Sequence, residues 1–169
     1  ADNAEKAARE AAVAALRNEN CWVKLDDKTL DAAAGSYTWA IANPGNYAEL
    51  KCVFELACTG NVVFNVQNGA VLNEVDTGMG TDKMTARLLL GPPCPRTGGQ
   101  IRLSPLGGSG NALIRYEAPC VADNGRFFCP HGYLSTAELA YRQINAVKLF
   151  SEGGTFSVGS RFLLYGLKR

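Results

Sequence analysis

The only histidine of the chain, His131, lies within the segment Cys129-Pro130-His131-Gly132. A cysteine and a histidine this close together are the residue types of a nucleophile and its general base. Pro130 and Gly132, however, are typical of a turn, and no carboxylate that would orient the imidazole can be assigned. We therefore expect His131 to lie in a surface loop. We assign no catalytic residue and predict that the protein is not an enzyme.

Two other segments have the composition of ligand-binding loops. Gly107-Gly108-Ser109-Gly110 is as rich in glycine as a phosphate-binding loop, but it lacks the Lys-Ser/Thr pair and the helix that follow such loops. Carboxylate and backbone oxygens between Asp76 and Asp82 are ligands that Ca²⁺ accepts, although the spacing is not that of an EF-hand. We expect a flexible turn in the first segment, and we predict no metal site and no cofactor.

Six cysteines, at positions 21, 52, 58, 94, 120 and 129, leave three interpretations open. A disulfide framework is usual in shorter secreted chains, and sequence cannot choose among the pairings. A zinc site would need clustered ligands, and the chain has no CxxC knuckle. In the third interpretation the cysteines are free thiols that pack as small hydrophobic side chains. Cys52, Phe54, Leu56 and Cys58 alternate along one predicted strand, so they should be buried on one face.

Aromatic side chains are the remaining candidates for a ligand site. Tyr37 and Trp39 are two residues apart, so in a strand both lie on the same face of the sheet. A platform for stacking sugars requires such a pair, and so does the inner face of a sandwich. Packing in the core is the default interpretation, and Tyr37 and Trp39 are the candidate ligand-facing aromatics.

The N-terminal segment predicts a helix, because Ala4 to Arg17 is rich in strong helix formers and contains neither Gly nor Pro. Glu5 and Arg9 are spaced to form an i,i+4 ion pair. The apolar stripe is mostly alanine, with Val13 and Leu16 as its larger members, so its burial stabilises the chain only modestly. We expect residues 1–20 to be an attachment or assembly element, and packing of the helix against its own domain remains the alternative.

Residues 21–169 consist of short apolar or alternating runs separated by Gly, Pro, Asn and Asp, which is typical of β structure. About nine strands at this spacing indicate a single antiparallel sandwich domain. The candidate strands are Cys21–Leu25, Tyr37–Ile41, Glu49–Cys58, Val62–Gln67, Thr85–Leu90, Gln100–Leu103, Ala112–Glu117, Ile144–Phe150 and Ser160–Leu167.

Three connections can also be predicted. Thr59-Gly60-Asn61 is short enough for a hairpin loop, so the runs that flank it should pair antiparallel. Residues 91–99 contain three prolines and three glycines, which predicts an exposed connection without ladder hydrogen bonds. Residues 106–111 should be exposed as well.

Charge and hydropathy exclude two classes of partner. Seventeen basic and sixteen acidic residues leave a formal charge of +1, so no broad positive surface is expected to attract nucleic acid or an anionic membrane. The longest apolar runs are far shorter than the roughly 20 residues of a membrane-spanning helix. We expect neither nucleic acid nor a membrane as partner.

The C-terminal sequence has a distinctive pattern. An apolar strand, Ile144–Phe150, is followed by Gly154-Thr155-Phe156 and then by Gly159-Ser160-Arg161-Phe162-Leu163-Leu164-Tyr165-Gly166. This pattern resembles the closing hairpin of bacteriophage virion β-sandwich proteins, and Asn46-Tyr47-Ala48-Glu49-Leu50 is similar to the opening of an inner strand in that group. The Asn-Gly-Asp-Thr-Gly segment common in the group has only a partial counterpart at residues 73–78, and six cysteines are unusual for it.

The resemblance implies a jelly-roll-like antiparallel sandwich and a structural role in a phage particle. We expect a capsid decoration or cement protein on the outer surface of the virion, most simply a homotrimer, whose partners are the major capsid protein or other virion proteins. A tail or fibre component, and a carbohydrate-binding module for host recognition, remain alternatives. The last strand is apolar on both faces, so Leu163 and Tyr165 join Val13 and Leu16 as predicted assembly contacts.

Overall fold

The structure is a computed structural model, and it describes residues 3–10, 21–69, 71–72, 74–76, 83–85, 88–91, 93–107, 110–121, 125 and 127–169. Residues 3–10 form a helix, in which the Arg9 guanidinium donates to the Glu5 carboxylate at 3.0 Å. The predicted pair is therefore confirmed. The remainder of the predicted helix, with Val13 and Leu16, lies outside the described residues. No helix within the described ranges is long and apolar enough to span a membrane.

Fifteen strands are formed by the described residues. In chain order they are β1 (Trp22–Thr29), β2 (Ser36–Ala40), β3 (Tyr47–Cys58), β4 (Asn61–Asn68), β5 (Val71–Leu72), β6 (Glu74–Asp76), β7 (Lys83–Thr85), β8 (Leu88–Gly91), β9 (Cys94–Pro105), β10 (Asn111–Glu117), β11 (Cys120–Val121), β12 (Phe127–Phe128), β13 (His131–Ala140), β14 (Ala146–Glu152) and β15 (Arg161–Lys168). Single 3₁₀ turns occupy Pro44–Asn46 and Tyr141–Gln143.

The strands form two antiparallel sheets. The larger has the order β1-β15-β3-β9-β10-β13-β6-β7, with β11 also paired to β9 and β12 paired to β11. The smaller has the order β2-β14-β4-β5, with β8 also paired to β4. The first strand thus lies beside the last, the second lies beside the last but one, and the chain passes repeatedly from one sheet to the other. This order is that of a jelly roll. The predicted fold, a mainly β, jelly-roll-like antiparallel sandwich with a short N-terminal α-helix, is confirmed.

The core lies between the inner faces of the two sheets. Along β3 every second side chain is buried, including Cys52, Phe54, Leu56 and Cys58, as the alternation predicted. Apolar side chains of the smaller sheet are buried against them: Trp39, Phe64, Val66, Val147 and Leu149. A side-chain period of two therefore places one residue set in the core and the intervening set on the outer face.

The predicted hairpin at Thr59-Gly60-Asn61 is wrong. β3 pairs with β15 and β9, whereas β4 pairs with β14, β5 and β8, so the turn carries the chain from the larger sheet to the smaller one. The expected C-terminal hairpin is wrong for the same reason, since β14 and β15 belong to different sheets. The side chains of two packed inner faces interdigitate, so the apolar residues of consecutive strands meet across the core.

These two links between the sheets lie side by side. The backbone N–H of Thr59 donates to the carbonyl of Thr155 at 3.1 Å, and the N–H of Thr155 donates to the Thr59 hydroxyl at 3.0 Å. Gly60 and Gly154 lie at this crossing, where a Cβ on either residue would fall within 2.6 Å of the backbone of the other link. The glycines therefore permit a close approach of two backbones.

The predicted exposed connection at residues 91–99 is also wrong over most of its length. Cys94 to Gly99 form the first half of β9 and pair with β3. A register shift between Leu56 and Cys58, opposite Pro95, takes the proline out of the regular ladder, which is where a strand tolerates it. Gly99 is required by packing, because a Cβ there would lie 2.5 Å from the Phe54 ring. At residues 106–111, Leu106, Gly107 and Gly110 are exposed as expected.

His131 is not in a loop, which corrects a further prediction. It is the first residue of β13, a strand absent from the sequence prediction, although its side chain is exposed as expected. The apolar signal of β13 is weak because its inner face includes Thr136, which is buried. The Thr136 hydroxyl accepts from the backbone N–H of Ala112 at 2.8 Å and donates to the carbonyl of Leu139 at 2.5 Å. A threonine can occupy a core position when its hydroxyl group forms hydrogen bonds in this way.

Gly60→Ala should lower the free energy of unfolding by about 1–3 kcal/mol, since overpacking typically costs that much. The added Cβ would lie 2.5 Å from the carbonyl oxygen of Glu152 and 2.6 Å from the backbone nitrogen of Gly154. Urea denaturation measures the change. The matched control is Gly35→Ala, where nothing lies within 4 Å of the new methyl group. Equal stabilities for the two variants would contradict the close crossing of the links.

Candidate binding surface on the larger sheet

Trp39 is fully buried on the inner face of β2, so its assignment as a ligand-facing aromatic is wrong. Its ring packs edge-on against Phe162 of the larger sheet, with ring centroids 5.8 Å apart. Tyr37 lies on the same face, half-buried, and stacks on Phe162 at 4.3 Å. Its hydroxyl donates to the Asp26 carboxylate. Burial, and then this hydrogen bond, raise the pKa of Tyr37. The pair joins the two sheets and offers no platform to a ligand.

Leu163 and Tyr165 lie on the outer face of β15, opposite in direction to the buried Phe162 and Leu164. Both are half-buried. Tyr165 is placed between Lys24 of β1 and Lys51 of β3. The predicted two-faced strand is therefore present, but its outer side chains are interspersed with charged residues and do not form a continuous apolar patch. Val13 and Leu16, the other predicted assembly contacts, lie outside the described residues.

The cysteines separate into two groups. Cys52, Cys58, Cys94 and Cys120 are buried thiols, and Cys21 and Cys129 are exposed. Burial raises the pKa of Cys52 strongly and that of Cys94 to about 11, so these thiols stay protonated. Among the described residues no group of three or more His, Cys, Asp or Glu side chains is arranged to hold a metal ion. The segment considered for calcium lies, apart from Asp76, outside the described residues.

The Cys129 and His131 pair does not have the geometry of a catalytic dyad. Nδ1 of His131 lies 2.9 Å from the backbone carbonyl oxygen of Cys129. A carbonyl only accepts, so Nδ1 carries the proton and donates it. The hydrogen bond is made to the backbone, and it does not activate the thiol. His131 instead belongs to a different set of side chains.

A row of cationic and aromatic residues crosses the outer face of the larger sheet. Its members are direct cross-strand neighbours in the order Lys24, Tyr165, Lys51, Arg102, Arg115, Tyr133. Because neighbouring strands are about 4.8 Å apart, the row is about 24 Å long. Four of its six members are cations, and three of these, from Lys51 to Arg115, are adjacent.

Like charges directly opposite each other destabilise a sheet. The stability of the row therefore depends on which group lies beside each cation. Arg102 donates to the half-buried Glu49, and Lys24 pairs with Asp27 at 2.9 Å. Hydrogen bonds from Arg161 and then Lys24 hold the pKa of Asp27 well below its usual value, so the carboxylate stays charged.

Lys51 and Arg115 are compensated differently, by aromatic rings. Lys51 Nζ lies 4.3 Å from the centre of the Trp22 ring, and the Arg115 guanidinium lies 6.0 Å from the centre of the Tyr133 ring. In the described part of the chain no carboxylate forms an ion pair with either cation. Among the described residues, aromatic rings therefore take the place of carboxylates beside these two cations.

An open groove of about 420 Å³ lies at the β13 end of this row. Six outward side chains from β9, β10 and β13 line it in two rows of three, and together they define the outer-face groove: Arg102, Arg115 and Tyr133, then Gln100, Glu117 and His131. Arg115, Glu117, His131 and Tyr133 are exposed. The groove thus presents cations and an aromatic ring in one row, and hydrogen-bonding groups in the next.

From the sequence, Tyr133 is one of several aromatic candidates for a ligand site and His131 is considered only as a general base for Cys129, and the six groove residues are not grouped as one site. The local signal exists, because Gln100-x-Arg102, Arg115-x-Glu117 and His131-x-Tyr133 each place two polar or aromatic side chains on one strand face. Their alignment depends on the register of three strands, which local sequence does not contain.

Comparison with known proteins gave no match, either to a protein-family model or to a curated protein.

Thiol labelling should distinguish the two cysteine groups in the native protein. We expect Cys21 and Cys129 to react rapidly, because both are exposed, and the four buried thiols to react only after denaturation. A reductant should leave the thermal transition unchanged. A disulfide typically contributes about 2–4 kcal/mol, so a large fall in melting temperature with reductant would contradict the assignment of four buried free thiols.

Proposed function

We propose that the chain is a structural, non-enzymatic protein of a bacteriophage particle, displayed on the outer surface of the capsid as a decoration or cement protein. The observation that carries the proposal is the C-terminal pattern Gly-Ser-x-Phe-x-Leu-Tyr-Gly at residues 159–166, which resembles phage virion β-sandwich proteins. The jelly roll supports it, since this fold is common in virus capsid proteins.

The pattern forms the turn into β15 and most of β15 itself, a strand that is paired on both of its sides. Gly159 has φ +85°, a conformation that favours glycine, and it leads the chain into β15. Phe162 and Leu164 are buried, and a Cβ at Gly166 would lie 2.4 Å from the Tyr47 ring. β15 itself lies between β1 and β3. The residues that carry the resemblance are thus also those that build a strand paired on both sides within the larger sheet.

The N-terminal helix is the proposed attachment element to the major capsid protein. All eight of its described residues are exposed, and its alanine-rich face lets another surface approach closely. An exposed helix this short is marginal alone and is stabilised by docking. Trimer formation through the same helix and the outer face of β15 is part of the proposal.

A carbohydrate-binding module is the second candidate function. The observation in its favour is the outer-face groove, where the exposed Tyr133 ring adjoins Arg115. The two candidates are compatible, because a protein on the particle surface can also bind host glycans.

Mass spectrometry of purified particles of the phage that encodes the chain should detect it with a copy number comparable to that of the major capsid protein. Capsid peptides in the same sample provide the internal reference. A copy number of a few per particle would replace capsid decoration with a tail or fibre location. Absence from purified particles would reject both structural assignments.

Deletion of residues 1–17 should leave the thermal transition nearly unchanged, because the core is formed by the strands. The same deletion should weaken particle binding or trimer formation, measured by cosedimentation and by light scattering. Val13→Asp together with Leu16→Asp should have the same effect in the full-length chain, since charge on the docking stripe opposes burial. Unfolding of the truncated chain would instead make the helix part of the core.

A further inference from the structure

We propose that the outer-face groove binds an acidic saccharide, that is, a sugar carrying a single carboxylate together with free hydroxyl groups. The inference rests on the second candidate function, because it names the ligand class of the same groove, and it goes beyond a structural role in the particle. It concerns the isolated protein, so it can fail or succeed independently of particle membership.

The carboxylate is expected to bind between Arg102 and Arg115. These residues are direct cross-strand partners on β9 and β10, so their guanidinium groups share one stretch of the outer face. Arg102 is partly neutralised by Glu49, whereas Arg115 has no carboxylate partner among the described residues. A guanidinium binds a carboxylate through two parallel hydrogen bonds, which makes Arg115 the principal anchor.

The sugar hydroxyl groups would contact the second row of the groove. Glu117 is the cross-strand partner of both Gln100 and His131, so it lies in the middle of that row. The Gln100 amide lies 3.5 Å from the Glu117 carboxylate, a weak contact that leaves the carboxylate able to accept further hydrogen bonds. A hydroxyl group can donate to a carboxylate and accept from an amide or imidazole N–H, so this row suits hydroxyl groups.

Tyr133 provides the apolar contact that a sugar ring requires. Its side chain is 70% exposed, the largest exposed fraction among the large hydrophobic residues of the described chain. The Arg115 guanidinium lies against the ring, which restricts both side chains and places the cation beside the stacking surface. A ligand held by both groups must join an anionic substituent to a flat, weakly polar face, as an acidic sugar does.

The charge pattern favours an acidic sugar over a dense polyanion. A phosphate backbone would place negative charges along the whole groove, including beside the Glu117 carboxylate, where like charges repel. The formal charge of +1 also provides no long-range attraction for a polyanion. The groove volume of about 420 Å³ lies within the usual range of small-ligand sites, about 300–1,000 Å³.

Titration of the ¹⁵N-labelled full-length protein with matched pairs of saccharides tests the proposal. Sialyllactose is compared with lactose, and glucuronate-terminated disaccharides are compared with their glucose-terminated counterparts. We expect saturable shifts of the Arg115 and Tyr133 amide resonances with the acidic member of at least one pair, and none with its neutral partner. The affinity should decrease with salt.

Arg115→Gln should weaken binding on the order of tenfold to a hundredfold, the loss expected for one hydrogen-bonded charge. Its melting temperature should be unchanged or higher, because the variant also removes the like-charge contact with Arg102. The matched control is Arg142→Gln, which makes the same charge change at an exposed position outside the groove and should leave the affinity unchanged.

Glu117→Ala distinguishes the acidic sugar from other anions. It should weaken saccharide binding by removing a hydroxyl acceptor, whereas it would strengthen binding of a polyanion such as a nucleic-acid oligomer by removing repulsion. The proposal is overturned if no acidic saccharide of the panel shifts the groove resonances, if neutral and acidic members bind alike, or if Arg115→Gln has no effect. Tighter binding of a glutamate-rich peptide, lost in Arg115→Gln, would also overturn it and would assign the groove to an acidic protein segment.

Discussion

The contacts of the Phe162 ring hold the two sheets together. Phe162 extends from β15 of the larger sheet and packs against Tyr37 and Trp39 of the smaller sheet, with ring centroids 4.3 and 5.8 Å apart. Phe156, in the link between the sheets, completes the cluster at 5.6 Å. Aromatic rings bury large areas and prefer such stacked and edge-on geometries. The cluster therefore joins both layers and one of the links that connect them.

The inward position of Phe162 determines which side chains of β15 lie on the outer face of the larger sheet. Side chains alternate along a strand, so Leu163 and Tyr165 must point outward once Phe162 and Leu164 are buried. A shift of one residue would reverse every side chain and expose the core set, which is why the register is strongly specified. The cationic row of the outer face is a consequence of the inner packing, and its like-charge neighbours are tolerated because core burial outweighs their repulsion of about 1 kcal/mol or less per pair.

Local patterns in the sequence predict which residues are buried better than they predict which strands pair with each other. Two predictions were correct because each depends on residues close together in the chain: the alternating burial along β3 and the ion pair between Glu5 and Arg9. The turn at Thr59 to Asn61 is compatible with a hairpin and with a passage between sheets, and only the contact with residues 153–160 selects the second. β13 escaped prediction because a buried threonine, satisfied by two hydrogen bonds, replaces the apolar residue expected there. The local pairs of the outer-face groove are visible in the sequence, but their alignment into one groove could not be predicted, since it requires the register of three strands.

The residues that carry the resemblance and those that form the groove have different physical roles. Phe162, Leu164 and Gly166 are buried, so a change at any of them would disturb closely packed neighbours. Arg115 and Tyr133 are exposed on the opposite face, where substitution leaves the core intact. A resemblance based on buried residues therefore concerns the scaffold, whereas ligand specificity depends on exposed side chains that the scaffold only aligns. A jelly roll can in this way keep its packed core while the side chains of its outer face change.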